Sequence, residues 1–145
     1  MRKLSSLLPA IVAFVVLCAA HGYAQDREYY EARKYITRVF NDSYIISSNN
    51  AKVKTRLEFT SCNINYSMTI EGMTERQSCS VKHLDPKRID GSSGMINIWT
   101  INDERRVKVS SLNKKYWALS LSYNSDKYPE KKVISSLSTV IRNCK

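Results

Sequence analysis

The sequence is poor in the residues that build metal centres and covalent catalytic sites. Its 145 residues include only two histidines and four cysteines. It contains no nucleophile elbow, phosphate-binding loop, HExxH helix or paired-carboxylate motif. It also lacks a CxxC pair and a ligand set for zinc. We therefore predict no metal site, no cofactor and no catalytic residue of a familiar type.

Glycine and proline are also scarce, with four and three residues respectively, which excludes a collagen-like or low-complexity chain. Apolar types make up 43% and charged types 25% of the residues, as in ordinary globular proteins. The length suits a single domain. No apolar run reaches the roughly 20 residues that a membrane-spanning helix requires.

Residues 1–24 have the organisation of a secretory signal peptide. Arg2 and Lys3 precede the apolar run Leu7–Ala20, and the small residues Gly22 and Ala24 suit cleavage near Ala24. A membrane anchor is the alternative, but the run is short and no stop-transfer charges follow it. We expect a periplasmic or secreted mature protein, whose formal charge falls from +10 to +8 because two cations are removed.

Periodicity in residues 25–145 predicts one α+β domain. Apolar residues recur every three or four positions over Asp26–Phe40, which predicts an N-terminal helix, and alternate over Tyr44–Tyr123. The alternating region predicts an antiparallel meander sheet, or a small open barrel, of about six or seven strands. We expect a hairpin turn at Glu71-Gly72 and a turn-rich loop over Asp85–Gly94.

A closing amphipathic helix is the clearest single element. Pro129 stands where a first helical residue would, and one apolar stripe follows it. The stripe of the helix consists of Val133, Ile134, Leu137, Val140, Ile141 and Cys144. In the strand that precedes this helix, Trp117 has the same apolar parity as Leu119 and Leu121.

The disulfide candidates are Cys62, Cys79 and Cys144, because an exported chain meets an oxidising compartment. A two-residue hairpin at Glu71-Gly72 sets Cys79 opposite Ile64 and diagonal to Cys62. Cys144 lies on the helical stripe that should cover this face, so all three sulfurs should enter one core. We favour a bridge to Cys144, which would otherwise lie on a fraying helix end. Its partner remains open, as does the Cys62–Cys79 alternative.

Basic residues form the other candidate site. If neighbouring strands align them, they create a surface that attracts anions, such as an anionic lipid or glycan of the cell envelope or an acidic protein. Nucleic acid fits an exported protein poorly. The alternative is that these residues only solvate strands and protect their edges. The anion-binding candidates are Lys52, Lys54, Arg56, Lys82, Lys87, Arg88, Arg105, Arg106 and Lys108.

These features favour an exported, non-enzymatic binding module, inhibitor-like or immunity-like, which uses its basic sheet face or the Asp85–Gly94 loop. The alternative is a small secreted hydrolase with a noncanonical site around His83. We expect His83 to lie at a strand end or turn. On an extended strand, Cys79 and His83 would lie roughly 13 Å apart, too far to act together.

Overall fold

The computed structural model describes residues 8–42, 44–46, 52–112 and 114–144, and it confirms the α+β class with a helix at each end. The predicted loop at 47–51 and the cations Arg2 and Lys3 lie outside these residues. The elements are α1 (Leu8–Asn41), β1 (Tyr44–Ile46), β2 (Lys52–Thr60), β3 (Asn63–Ile70), β4 (Met73–Ser80), β5 (Leu84–Ser92), β6 (Met95–Thr100), β7 (Val107–Val109), β8 (Lys114–Tyr116), β9 (Ala118–Ser122) and α2 (Glu130–Asn143).

The described strands form two antiparallel sheets. The larger sheet has the order β1-β2-β3-β4-β7-β8, and the smaller has the order β5-β6-β9. Nine strands are therefore described where about six or seven were predicted, because Asp85–Gly94 contributes a strand and several strands have only three residues. The chain leaves the large sheet after β4, builds β5 and β6, and returns to it with β7.

Side chains of the large sheet join it to β9 of the small sheet. The hydroxyl of Tyr66 on β3 accepts the backbone N–H of Ser122 at 3.0 Å, and it lies 3.3 Å from the Ser122 carbonyl, to which it can donate. Gln77 Oε1 on β4 accepts the N–H of Ser120 at 3.1 Å. We call this junction between the two sheets the seam. It is formed by hydrogen bonds to side chains rather than by a ladder of backbone hydrogen bonds.

The Asp85–Gly94 loop prediction was wrong, because Leu84–Ser92 forms the edge strand β5. The prediction weighed the turn-forming residues, whereas pairing with β6 decides the conformation. Pro86 is tolerated because the register shifts between Leu84 and Ile89, so a proline there removes no required ladder bond. The turn is confined to Ser93-Gly94, where both residues have positive φ.

The predicted hairpin register is confirmed. Glu71 and Gly72 both have positive φ, as a two-residue turn of this kind requires, and Cys79 lies opposite Ile64. The backbone N–H of Val81 then donates to the Cys62 carbonyl at 2.7 Å. Because register follows from turn length, this geometry could be worked out from the sequence alone.

A disulfide joins Cys62 to Cys144, with Cα atoms 5.5 Å apart, and leaves Cys79 as a buried free thiol. The preference for a bridge to Cys144 is confirmed, and its partner is now identified. Cys79 and Cys144 belong to the buried core, and Cys62 packs against it. The bridge fixes the end of α2 to the turn between β2 and β3.

Both helices cover the inner faces of the sheets. The apolar stripe of α2 is confirmed, with Val133, Leu137, Val140 and Ile141 buried. From α1, Ile36, Val39 and Phe40 enter the same core. The sheets supply the remaining central residues, which include Leu57, Ile64, Tyr66, Ile96, Ile98, Leu119 and Leu121.

The first helix is longer than predicted, since α1 begins at Leu8 and the predicted helix Asp26–Phe40 is its C-terminal part. It continues past Ala24 without a break, and residues 24–28 are exposed. No helix within the described residues is long and apolar enough to span a membrane. Cleavage near Ala24 stays a prediction.

Candidate functional site

The outer face of the large sheet is polar along most of its length. On β2, Lys52, Lys54 and Arg56 are exposed on this face, while the alternating residues Val53 and Leu57 are buried. This is the alternation that the sequence predicts for the strand. Because residues paired across strands share a face, the register shows which polar side chains of the other strands join them.

One row of paired residues crosses five strands of this face. It runs from Lys115 on β8 through Lys108, Ser78 and Asn65 to Glu58 on β2. At about 4.8 Å between strands, the Cα atoms of Lys115 and Asn65 are separated by about 14 Å. The row is cationic at one end and neutral in the middle.

The adjacent row adds two guanidinium groups. Arg56 pairs with Ser67, which in turn pairs with Arg76 on β4. We call the surface defined by Arg56, Arg76, Lys108 and Lys115 the basic face. Arg56 and Lys108 were candidates from the sequence, whereas Arg76 and Lys115 were not. Their alignment with Arg56 and Lys108 follows from strand pairing, which the sequence alone does not provide.

A shallow cavity of about 450 Å³ opens on the basic face. Two cations from the row, Lys108 and Lys115, line it together with Arg106 and His83. Its other walls consist of hydroxyl and amide side chains and of Cys79. These further lining residues are Thr60, Asn63, Asn65, Ser78 and Ser80. Hydrogen-bond donors and positive charges thus converge on one concave surface.

Ion pairs neutralise one cation of the basic face and one further cation that lines the cavity. Arg56 contacts Glu58, and Arg106 contacts Glu104 at 2.5 Å through Nη2 and 2.7 Å through Nε. Within the described residues, no carboxylate lies within ion-pair distance of Lys108 or Lys115. These two ammonium groups therefore contribute charge that an anionic ligand can use.

Seven of the nine predicted basic candidates do not line this cavity: Lys52, Lys54 and Arg56 on β2, and four that lie outside the strands of the large sheet. Arg88 pairs with Asp103 at 2.9 Å and stands over the ring of Trp99. Arg105 stands over a second indole ring in the same way. Lys82 lies in the 3₁₀ turn after β4, and Lys87 lies on β5; both are exposed. Cations that are close together along the sequence, such as Arg105 and Arg106, thus fall on different sides of the boundary of the cavity.

His83 lies in the 3₁₀ turn Val81–His83, as the sequence predicted, and it is half-buried. The expectation that an extended strand separates it from Cys79 was wrong, because the chain stops being extended after Ser80. Both residues contribute to the wall of the cavity on the basic face. Because both residues line one cavity, the question is whether their chemistry, meaning their protonation states and neighbours, suits catalysis.

That chemistry is unsuited to nucleophilic catalysis. Burial raises the pKa of the Cys79 thiol to about 11, and the nearby charge of Arg106 offsets this only in part. A thiol of this kind stays protonated at neutral pH, whereas the thiolate is the nucleophile. None of the described residues lining the cavity is acidic, so no carboxylate there can orient His83.

The cavity is open, polar and cationic, and most of its donors lie on paired strands. These properties suit reversible binding of phosphate, sulfate or carboxylate groups more than covalent chemistry. Strand pairing fixes the spacing of the cations, so the surface is available before a ligand arrives. No protein-family model, curated protein or solved structure matches this chain.

Proposed function

We propose that this chain is an exported, non-enzymatic binding module whose basic face binds an anionic component of the cell envelope, a lipid or a glycan. The observation that carries the proposal is the row from Lys115 through Lys108 to Ser78 and Asn65. It presents two ammonium groups without acidic partners among the described residues, next to hydroxyl and amide donors. Phosphate and carboxylate oxygens bind to this combination of groups.

The shape of the basic face favours an extended ligand. The cations lie on four different strands, and the cavity lined by Lys108 and Lys115 is shallow rather than enclosed. A small metabolite would engage one or two of these groups, whereas a polymer or a lipid surface engages them together. Several weak contacts then add up to useful affinity without a deep pocket.

Export is supported by the signal-like organisation of residues 1–24 and by the Cys62–Cys144 disulfide. Disulfides persist in the periplasm and in secreted proteins, and they are rare in the reducing cytosol. In the secreted or periplasmic fraction, we expect a protein whose N-terminus is close to Gln25. The anionic envelope is then the nearest abundant partner for a basic surface.

The test compares two charge reversals of equal size. Lys108→Glu combined with Lys115→Glu changes the basic face, and Lys82→Glu combined with Lys87→Glu makes the same change outside its cavity. The probes are phosphatidylglycerol vesicles, phosphatidylcholine vesicles and the soluble polyanion alginate. We expect the first pair to weaken binding to an anionic probe at least about 30-fold, since each cation near such a surface contributes about 1 kcal/mol.

The control pair should retain most of the binding, and added salt should weaken binding by the unmodified chain. Binding to vesicles alone identifies a lipid, whereas binding to alginate identifies a glycan. Equal losses in the two variants would contradict a defined site on the basic face. If the unmodified chain bound neither the phosphatidylglycerol vesicles nor alginate, the proposal would be overturned.

A further inference from the structure

A second concave surface of about 420 Å³ lies beside the small sheet, and both tryptophans of the chain line it. Trp117 has the apolar parity of Leu119 and Leu121 in the sequence, but it does not share their burial. The chain bends between β8 and β9, so Trp117 is 42% exposed. Tyr116 and Leu112, the latter 52% exposed, complete the apolar wall. We call this surface the aromatic groove.

The aromatic groove and the basic face use alternate residues of the same strands. On β4, Gln77 lines the groove while Ser78 lies on the basic face. On β8, Tyr116 and Lys115 are divided in the same way. Because successive residues of a strand point to opposite faces, the two surfaces lie back to back. The groove is therefore a separate site.

Polar side chains held by hydrogen bonds line the other wall of the groove. Asn97 donates to Asp90 at 3.1 Å and accepts from the Ser120 hydroxyl at 2.8 Å. Gln77 donates to Glu75 at 3.3 Å and accepts the Ser120 N–H. An amide side chain has two N–H donors and two acceptor positions, so these bonds orient both amides and leave capacity for a ligand.

We propose that the aromatic groove binds a neutral oligosaccharide. The C–H-rich face of a sugar ring packs against an indole or phenol ring, whose π-face is electron-rich. The hydroxyl groups at the edge of the sugar ring both donate and accept, which matches amide and carboxylate side chains. The groove combines flat aromatic rings with fixed polar groups, as this class of ligand requires.

Two other kinds of occupant fit less well. A quaternary ammonium group would use the π-faces, but the guanidinium groups of Arg88 and Arg105 already stand 5.5 Å from the centroids of Trp99 and Trp117. Each indole ring therefore already holds a cation over one face, which reduces its attraction for a second cation. A peptide strand would need an open backbone edge, and at Ser120 the outward N–H of β9 is already bound by a side chain.

Intrinsic fluorescence provides a direct readout, because the only two tryptophans of the chain both line the groove. The full chain is titrated with cellohexaose, chitohexaose and maltohexaose up to about 10 mM, which covers the weak affinities expected of an open site. We expect at least one of these probes to shift or quench the emission. Calorimetry then gives the affinity for each variant.

Trp117→Ala should weaken binding of that hexasaccharide at least about tenfold, since it removes the exposed stacking surface. Trp117→Phe should recover much of the loss. The matched control is Tyr30→Ala, an aromatic residue 61% exposed on α1 and outside the groove, which should leave affinity unchanged. Equal weakening by the control overturns the proposal. So does a response to tetramethylammonium or a polyproline peptide with none to any hexasaccharide.

Discussion

At the residue scale, two buried tyrosines differ in what their hydroxyl groups contact. Tyr66 is 3% exposed, and its hydroxyl accepts the N–H of Ser122 across the seam between the sheets. Tyr123 is 1% exposed and packs edge-on against Phe40, but no described residue forms a hydrogen bond with its hydroxyl. The same chemical change at the two positions therefore separates a structural hydrogen bond from simple packing.

We expect Tyr66→Phe to lower the free energy of unfolding by about 1–3 kcal/mol, because it leaves the Ser122 N–H at the seam without its acceptor. Tyr123→Phe keeps the ring and removes a hydroxyl with no described partner, so its effect should stay within about 0.5 kcal/mol or be stabilising. Urea unfolding of both variants measures the difference. Equal losses would show that the seam does not depend on this hydrogen bond.

At the element scale, the disulfide determines how firmly α2 is attached. It closes a loop with a sequence separation of 82 residues, and on the entropic account this contributes about 4.5 kcal/mol. We expect Cys144→Ser to lower the free energy of unfolding by about that amount. The control Cys79→Ala removes the free thiol of the same core and should cost about 1–2 kcal/mol.

Reduction provides an independent check on the same bridge. A reductant should destabilise the unmodified chain to the level of Cys144→Ser and leave that variant unchanged. In the denatured, unreduced chain, peptide mapping after alkylation should find Cys79 modified and Cys62 protected. Modification of Cys62 without reductant would contradict the bridge.

Elements whose signals are local could be predicted from the sequence. The α2 stripe follows from its 3.6-residue period, and the pairing of Cys79 with Ile64 follows from a two-residue turn. The strand β5 could not be predicted, because pairing with β6 outweighs its Pro, Gly and Asp content. The exposure of Trp117 could not be predicted for a related reason, since a bend interrupts the alternation at this residue, just before β9 begins.

At the scale of the whole molecule, strand order determines which cations meet. The sequence indicated Lys108 as basic, but only the pairing of β4 with β7 sets it beside Ser78, far away along the chain. Lys82 is close to Ser78 in sequence and lies outside the cavity. Composition could therefore predict a basic surface, whereas its location depends on contacts between distant segments.

The back-to-back arrangement of the two proposed sites leads to a prediction about their independence. Lys108→Glu combined with Lys115→Glu should leave hexasaccharide affinity within about twofold of the unmodified chain, and Trp117→Ala should leave binding to the anionic probe equally unchanged. The reason is that alternate side chains of β4, β7 and β8 build the two surfaces without sharing a residue. Calorimetry and co-sedimentation on the same preparations measure both quantities. The contrary result is that either variant weakens both interactions severalfold while its free energy of unfolding stays the same. The two surfaces would then form one coupled site, and a single acidic glycan that contacts both would replace the two separate ligands.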